Sequence, residues 1–151
     1  MAQTVQRPLV LQADQEIWEP IAASTTIRCG MICCYDSSGN IVEAADTNGL
    51  RFAGIARHYV DNSAGAAAAK DILLVNKGEV VVEGDATLAA TGGQGTIAYA
   101  SDGDTVSNSA GTNSVEIGIV VAFRNVNDPA ARANAVRVRF GYGHGTPVGH
   151  A

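Results

Sequence analysis

The sequence lacks a long apolar run, and its N-terminus lacks the apolar segment of a signal peptide. No segment approaches the roughly eighteen consecutive apolar residues that a membrane-spanning helix needs. The chain begins Met-Ala-Gln-Thr-Val-Gln-Arg-Pro, which has no hydrophobic stretch of the kind found in secretory signal peptides. We therefore expect no membrane partner, and we expect the chain to be synthesised and folded in a cytoplasm.

Positive charge is also scarce. The chain has 10 Lys and Arg residues against 15 Asp and Glu residues, which gives a formal net charge of −5. Affinity for nucleic acids comes largely from clustered Lys and Arg side chains that release counterions from the phosphates. The charge balance therefore predicts that nucleic acid is not a partner.

Motifs for catalysis, cofactors and metals are missing as well. The sequence has no Gly-x-Ser-x-Gly nucleophile turn, no phosphate-binding Gly-x-x-x-x-Gly-Lys and no His-Glu-x-x-His pair. His144 and His150 lie six residues apart in a glycine-rich segment, without a neighbouring Cys or carboxylate to complete four zinc ligands. We predict that the protein is not an enzyme and that it needs neither a cofactor nor a metal.

Cysteine is rare and closely spaced. Cys29, Cys33 and Cys34 are the three cysteines of the chain, and they occur in a segment of alternating apolar sequence. An odd number of neighbouring cysteines is a poor disulfide framework. We therefore predict reduced thiols that are mostly buried in the core.

The sequence is rich in short apolar runs that are separated by glycine turns. It has 17 glycines and an apolar fraction of 46%. Turn sequences such as Ser38-Gly39-Asn40 and Asn48-Gly49 between apolar runs are typical of β-hairpins. We predict an all-β fold, a single compact β-barrel or sandwich. The nine predicted strands are Gly30–Tyr35, Ile41–Ala44, Phe52–Tyr59, Ile72–Asn76, Glu79–Glu83, Gly95–Ala100, Thr105–Ser107, Ser114–Phe123 and Ala135–Phe140.

The length of 151 residues favours one folded domain with two extensions. Residues 1–20 mix polar and apolar side chains without a clear period, and we interpret them as an extended N-terminal arm. Residues 21–140 contain the predicted strands and form the β-barrel domain. Residues 141–151 form a glycine-rich C-terminal tail.

An internal repeat relates two parts of the chain. Gly30-Met-Ile-Cys-Cys-Tyr35 is similar to Gly95-Thr-Ile-Ala-Tyr-Ala100 at an offset of 65 residues, and Gly54-Ile55 matches Gly118-Ile119 at an offset of 64. Each copy contains a strand, a glycine turn, a second strand, a polar loop and a strand that opens with Gly-Ile. Two copies are too few for a solenoid. We expect them to form the two halves of one pseudo-symmetric barrel.

The order of these motifs resembles a family of small bacteriophage capsid decoration (cement) proteins, from Ile27 to Phe123. Such proteins have a Gly-x-hydrophobic strand, a turn with Gly and Asn or Asp, a Gly-Ile-Ala or Gly-Val-Ala strand, a Gly-x-Val-x-Val strand and a second copy of the first pattern. The matching elements here are Gly30-Met-Ile, Ser38-Gly39-Asn40-Ile-Val, Ala53-Gly54-Ile55-Ala56, Lys77-Gly78-Glu-Val-Val-Val82, Gly95-Thr-Ile-Ala-Tyr99, Gly103-Asp104-Thr-Val106 and Ile117-Gly118-Ile119-Val120.

The resemblance implies a structural virion protein on the exterior of the capsid. It implies a compact β-barrel that binds the major capsid protein and stabilises the shell. It also implies self-association, with a homotrimer favoured over a dimer, because such proteins often occupy threefold positions. The alternative is a carbohydrate- or receptor-binding module of a phage head or tail fibre, for which Tyr59, Tyr99 and Tyr142 are the candidate aromatic contacts. A hydrolase is the weakest alternative, since no catalytic constellation is present.

Four large apolar side chains of the predicted arm are the candidate contact residues. Leu9, Leu11, Ile17 and Trp18 show neither strand alternation nor helical spacing, so the local sequence offers them no evident burial. We predict that they contact the capsid or a neighbouring subunit. The alternative is that they fold back onto their own barrel and cover one end of it.

Overall fold

The computed structural model describes residues 15–124 and 127–141, and the regular structure of these residues is short strands, joined by turns and loops, with one short helix. The all-β prediction is confirmed, and all nine predicted strands are present with ends that differ by a few residues. The strands are β1 Glu16–Pro20, β2 Thr25–Ile27, β3 Ile32–Tyr35, β4 Ile41–Glu43, β5 Arg51–Ala56, β6 Val60–Asn62, β7 Asp71–Val75, β8 Gly78–Gly84, β9 Ile97–Ala100, β10 Thr105–Ser107, β11 Glu116–Phe123 and β12 Ala135–Phe140, with helix α1 at Ala86–Thr91.

Two sheets of five strands each make up most of the fold. The N-terminal sheet has the order β1-β7-β5-β3-β4. The C-terminal barrel has the order β8-β12-β11-β9-β10 and is closed by parallel pairing of β10 with β8. Strands β2 and β6 form a separate two-stranded ribbon. The two sheets have the same strand order when the strands of each are counted along the chain. The corresponding strands are β1 and β8, β3 and β9, β4 and β10, β5 and β11, and β7 and β12.

The repeat extends to the register of the strands. Residues 63 to 65 positions apart occupy equivalent places, and the β3–β5 and β9–β11 pairings each contain a bulge. The equivalent cross-strand pairs are Ile32–Ile55 and Ile97–Ile119, Cys33–Gly54 and Ala98–Gly118, and Ile21–Ile41 and Gly84–Val106. The two copies therefore form two separate sheets of one topology, rather than the two expected halves of a shared barrel.

The two sheets differ in how their edge strands meet. In the C-terminal barrel the N–H of Glu83 donates a hydrogen bond of 2.9 Å to the carbonyl of Asp104 across the seam. Pro20 occupies the equivalent position in the N-terminal sheet and has no N–H to donate. Within the described residues, the edges of that sheet are joined by one parallel bridge, between Ile21 and Ile41.

Two apolar clusters fill the molecule. The cluster inside the N-terminal sheet consists of the buried residues Ile21, Ile27, Cys33, Ile41, Ala53, Ala56, Ile72 and Leu74. The other cluster fills the C-terminal barrel and continues onto the outer face of the N-terminal sheet. There the rings of Phe52 and Phe140 meet edge to face, with centroids 5.6 Å apart and an interplanar angle of 77°. The two sheets therefore share a core.

The glycine of the repeated Gly-Ile motif lies at the bulge in both sheets. A Cβ atom on Gly54 would lie 2.6 Å from the carbonyl oxygen of Val75 in the neighbouring strand. A Cβ atom on Gly118 would lie closer still to the carbonyl oxygen of Arg139. A glycine in a strand often marks such a close approach of another backbone. A side chain at either position would force β7 or β12 away from its partner.

We predict that Gly54→Ala and Gly118→Ala each lower the free energy of unfolding by about 3 kcal/mol or more, because the neighbouring backbone must shift. Urea denaturation followed by circular dichroism measures this loss. Gly30→Ala is the control: no atom lies within 4 Å of the added methyl group, but φ is +83°. Left-handed backbone strain alone should cost about 1 kcal/mol. Equal losses at the three positions would contradict the prediction.

Candidate contact surface

Strand β1 places two predicted contact residues on opposite faces of the N-terminal sheet, because successive side chains of a strand alternate. Ile17 packs against the cluster inside the sheet. Trp18 points outward and is 61% exposed. Residues 16–20, which we expected to belong to the arm, thus form a paired strand, and Ile17 follows the alternative of burial in its own fold. Leu9 and Leu11 lie outside the described residues.

Trp18 is held against a histidine that the backbone fixes in place. The ring centroids of Trp18 and His58 are 5.7 Å apart, with an interplanar angle of 55°. His58 Nε2 accepts a hydrogen bond of 3.2 Å from the N–H of Leu73, which is the cross-strand neighbour of Trp18. His58 Nδ1 lies 3.3 Å from the carbonyl oxygen of Tyr59. The neutral ring with its proton on Nδ1 satisfies both contacts.

Tyr59 follows His58 and is 59% exposed. Among the described residues, Trp18 and Tyr59 are the large apolar side chains that are exposed to solvent. We call the contacting pair Trp18 and His58, together with Tyr59, which follows His58 in the chain, the aromatic patch. Glu16 and Arg57, close to the patch in sequence, form an ion pair with an N–O distance of 3.4 Å. Since both are well exposed, the pair contributes about 0–1 kcal/mol to stability. Aromatic side chains are enriched at protein contact surfaces.

The equivalent surface of the C-terminal barrel has a different character. Val81 takes the place of Trp18, and Arg137 takes that of Leu73. Arg137 forms an ion pair of 3.0 Å with Glu79. The aromatic patch is therefore not required by the topology, because the other copy folds without it.

The cysteines are free thiols, as predicted. Burial raises the pKa of Cys33 far above its usual range and that of Cys34 to about 12. Since the thiolate is the reactive form, both thiols are unreactive. Cys29 differs from the expectation of burial: it is exposed, and its Sγ donates to the carbonyl of Arg57 at 3.4 Å.

A groove of about 310 Å³ lies between the two sheets. Arg132, at its wall, forms ion pairs with Asp104 at 3.0 Å and with Asp128 at 2.8 Å. This cation is therefore neutralised. In residues 15–124 and 127–141, no group of three or more His, Cys, Asp or Glu side chains is arranged to hold a metal ion.

None of the helical segments that the structure describes is long and apolar enough to span a membrane. The chain matches no protein-family model, no curated protein and no solved structure. The sequence had indicated Trp18 and Tyr59 as candidate contacts but not His58. The contact of His58 with Trp18 depends on the pairing of β5 with β7, which brings the end of β5 close to β1.

A polar pair lies near the open seam of the N-terminal sheet. Glu19 takes the place of the buried Val82 of the C-terminal barrel, and Tyr35 takes that of the buried Ala100. The Glu19 carboxylate lies close enough to Tyr35 to act on its phenol. Burial, and next the negative charge of Glu19, raise the pKa of Tyr35 to about 12. The fold therefore favours the neutral phenol.

We predict that Tyr35 ionises with a midpoint near pH 12, against the ordinary value of about 10 for tyrosine. Because the folded-state pKa is raised, the neutral phenol stabilises the fold fully below pH 10, and this contribution is lost as the pH rises through 12. The ultraviolet phenolate absorbance of the wild type minus that of Tyr35→Phe isolates this group. A difference curve centred near the ordinary value would contradict the prediction.

Proposed function

We propose that this protein is a structural virion protein that binds the outer surface of a phage capsid and stabilises the shell. The aromatic patch is the observation that carries the proposal. Trp18 is exposed, but it lies on a paired strand and its ring contacts that of His58. Little side-chain freedom therefore remains to be lost on binding. Tryptophan is enriched among the residues that dominate binding energy at interfaces.

The scaffold supports this role because its strands pair into two five-stranded sheets that share a core. The N-terminal sheet fixes Trp18 on one outer face, and the shared core fixes the C-terminal barrel against that sheet. On a symmetric shell, many weak contacts of this kind act together through their high effective concentration. We propose the major capsid protein as the partner, the capsid exterior as the location, and self-association into a homotrimer.

Carbohydrate or receptor binding by a phage head or tail fibre is the second candidate function. The exposure of Trp18 and Tyr59 favours it, because aromatic side chains combine a large apolar surface with a polar group. Stoichiometric co-sedimentation with undecorated capsids supports the capsid role. Binding to a glycan panel without co-sedimentation supports the alternative.

We predict that Trp18→Val weakens capsid binding by about 2 kcal/mol, or roughly 30-fold, because it removes the aromatic anchor. Valine is the matched replacement, since the equivalent position of the C-terminal barrel is Val81. Co-sedimentation over a concentration series gives the affinity. Arg137→Ala, on the equivalent outer surface of the barrel, is the control and should bind like the wild type. Undiminished binding by Trp18→Val would rule out the patch as an anchor.

Removal of residues 1–14 tests the rest of the predicted arm. Because β1 begins at Glu16, this truncation leaves both sheets complete, whereas removal of residues 1–20 would delete a strand. We predict an unchanged thermal unfolding midpoint and weaker capsid binding, because Leu9 and Leu11 are lost. Calorimetry measures the first and co-sedimentation the second. A truncated protein that decorates capsids normally would show that these residues are not contacts.

A further inference from the structure

The outer face of the N-terminal sheet is covered by the C-terminal barrel. The cross-strand pairs Ile32–Ile55 and Cys34–Phe52 lie on this face. All four residues belong to the cluster that continues into the C-terminal barrel, and none is more than 7% exposed. A barrel of this fold therefore complements this face.

The equivalent face of the C-terminal barrel is only half-buried. Its cross-strand pairs are Ile97–Ile119 and Tyr99–Glu116. Ile97, Tyr99 and Ile119 are each partly exposed in the described structure. On an antiparallel sheet that faces water, alternation predicts polar residues at such positions. The same isoleucine pair thus occurs twice, covered in one copy and partly uncovered in the other.

We propose that Ile97, Tyr99 and Ile119, here called the repeat face, bind a second copy of this chain. The contact within the chain supports a second copy as the occupant, because there the equivalent isoleucine pair is covered by a barrel of the same topology. The inference deepens the proposed self-association and rests on it, but it is independent of capsid binding through the aromatic patch.

The internal contact also indicates the type of symmetry. The face that contains Ile32 meets the C-terminal barrel, where the N–H of Ile32 donates to the carbonyl of Gly103 at 2.7 Å and Phe52 meets Phe140. Two different surfaces are thus joined. A contact of this kind between copies is head-to-tail, and it forms a closed ring when the rotation between copies closes. A trimer is one such ring.

Sedimentation velocity on the full chain tests the proposal. We expect the wild type to form an oligomer and Ile119→Lys to sediment as the single chain of 15.5 kDa, because a charge on the repeat face blocks the contact. Leu73→Arg is the matched control, since the equivalent position already carries Arg137, and it should keep the wild-type oligomer. Circular dichroism confirms that each variant is folded.

Ile97→Thr is the second variant if Ile119→Lys fails to fold, because threonine keeps the β-branched shape and exposes a hydroxyl group. A wild type that stays monomeric at every concentration, or a folded repeat-face variant that keeps the oligomer, overturns the inference. A monomer that still binds capsids refutes the repeat face and the proposed self-association, and it leaves the proposed capsid binding standing. A wild-type oligomer that is lost in the repeat-face variants but does not bind capsids supports the repeat face and refutes the proposed capsid binding.

Discussion

At Gly54 and Gly118 the carbonyl group of a neighbouring strand occupies the space that a side chain would need. Each glycine lies at a bulge, and bulges bend a strand and increase its twist. The bend allows a sheet of only five strands to curl until its first and last strands meet. The enclosed cores, the outward isoleucine pairs and the placement of Trp18 on an outer face all depend on this curvature.

The sequence was informative where the backbone restricts the residue type. Strands and turns were visible because glycines separate the apolar runs, and the repeat was visible at Gly54 and Gly118 because both copies need glycine there. The repeat between β1 and β8 was missed, since Trp18 corresponds to Val81 and Pro20 to Glu83. Helix α1 was missed as well, because six residues are too few to show a helical period.

The candidate surface was only partly accessible to sequence reasoning. Trp18 stood out because it is the one tryptophan of the chain. That Ile17 points inward could not be inferred, because β1 is five residues long, ends in proline and pairs with β7 more than fifty residues later. The half-exposed Ile97 and Ile119 became informative only through their covered counterparts. A single sequence shows which residues are apolar. Which face of a sheet is buried against another part of the protein depends on the topology of the whole fold.

Pro20 affects which part of the molecule unfolds locally first. A proline at the seam leaves the N-terminal sheet with fewer hydrogen bonds between its edge strands than the C-terminal barrel has. Local opening requires least free energy where few backbone hydrogen bonds must break. The amides of β1 and β4 should therefore exchange with deuterium before those of β8 and β10. Two copies of one topology would thereby become two cooperative units of unequal stability, with the strand that carries Trp18 in the weaker one.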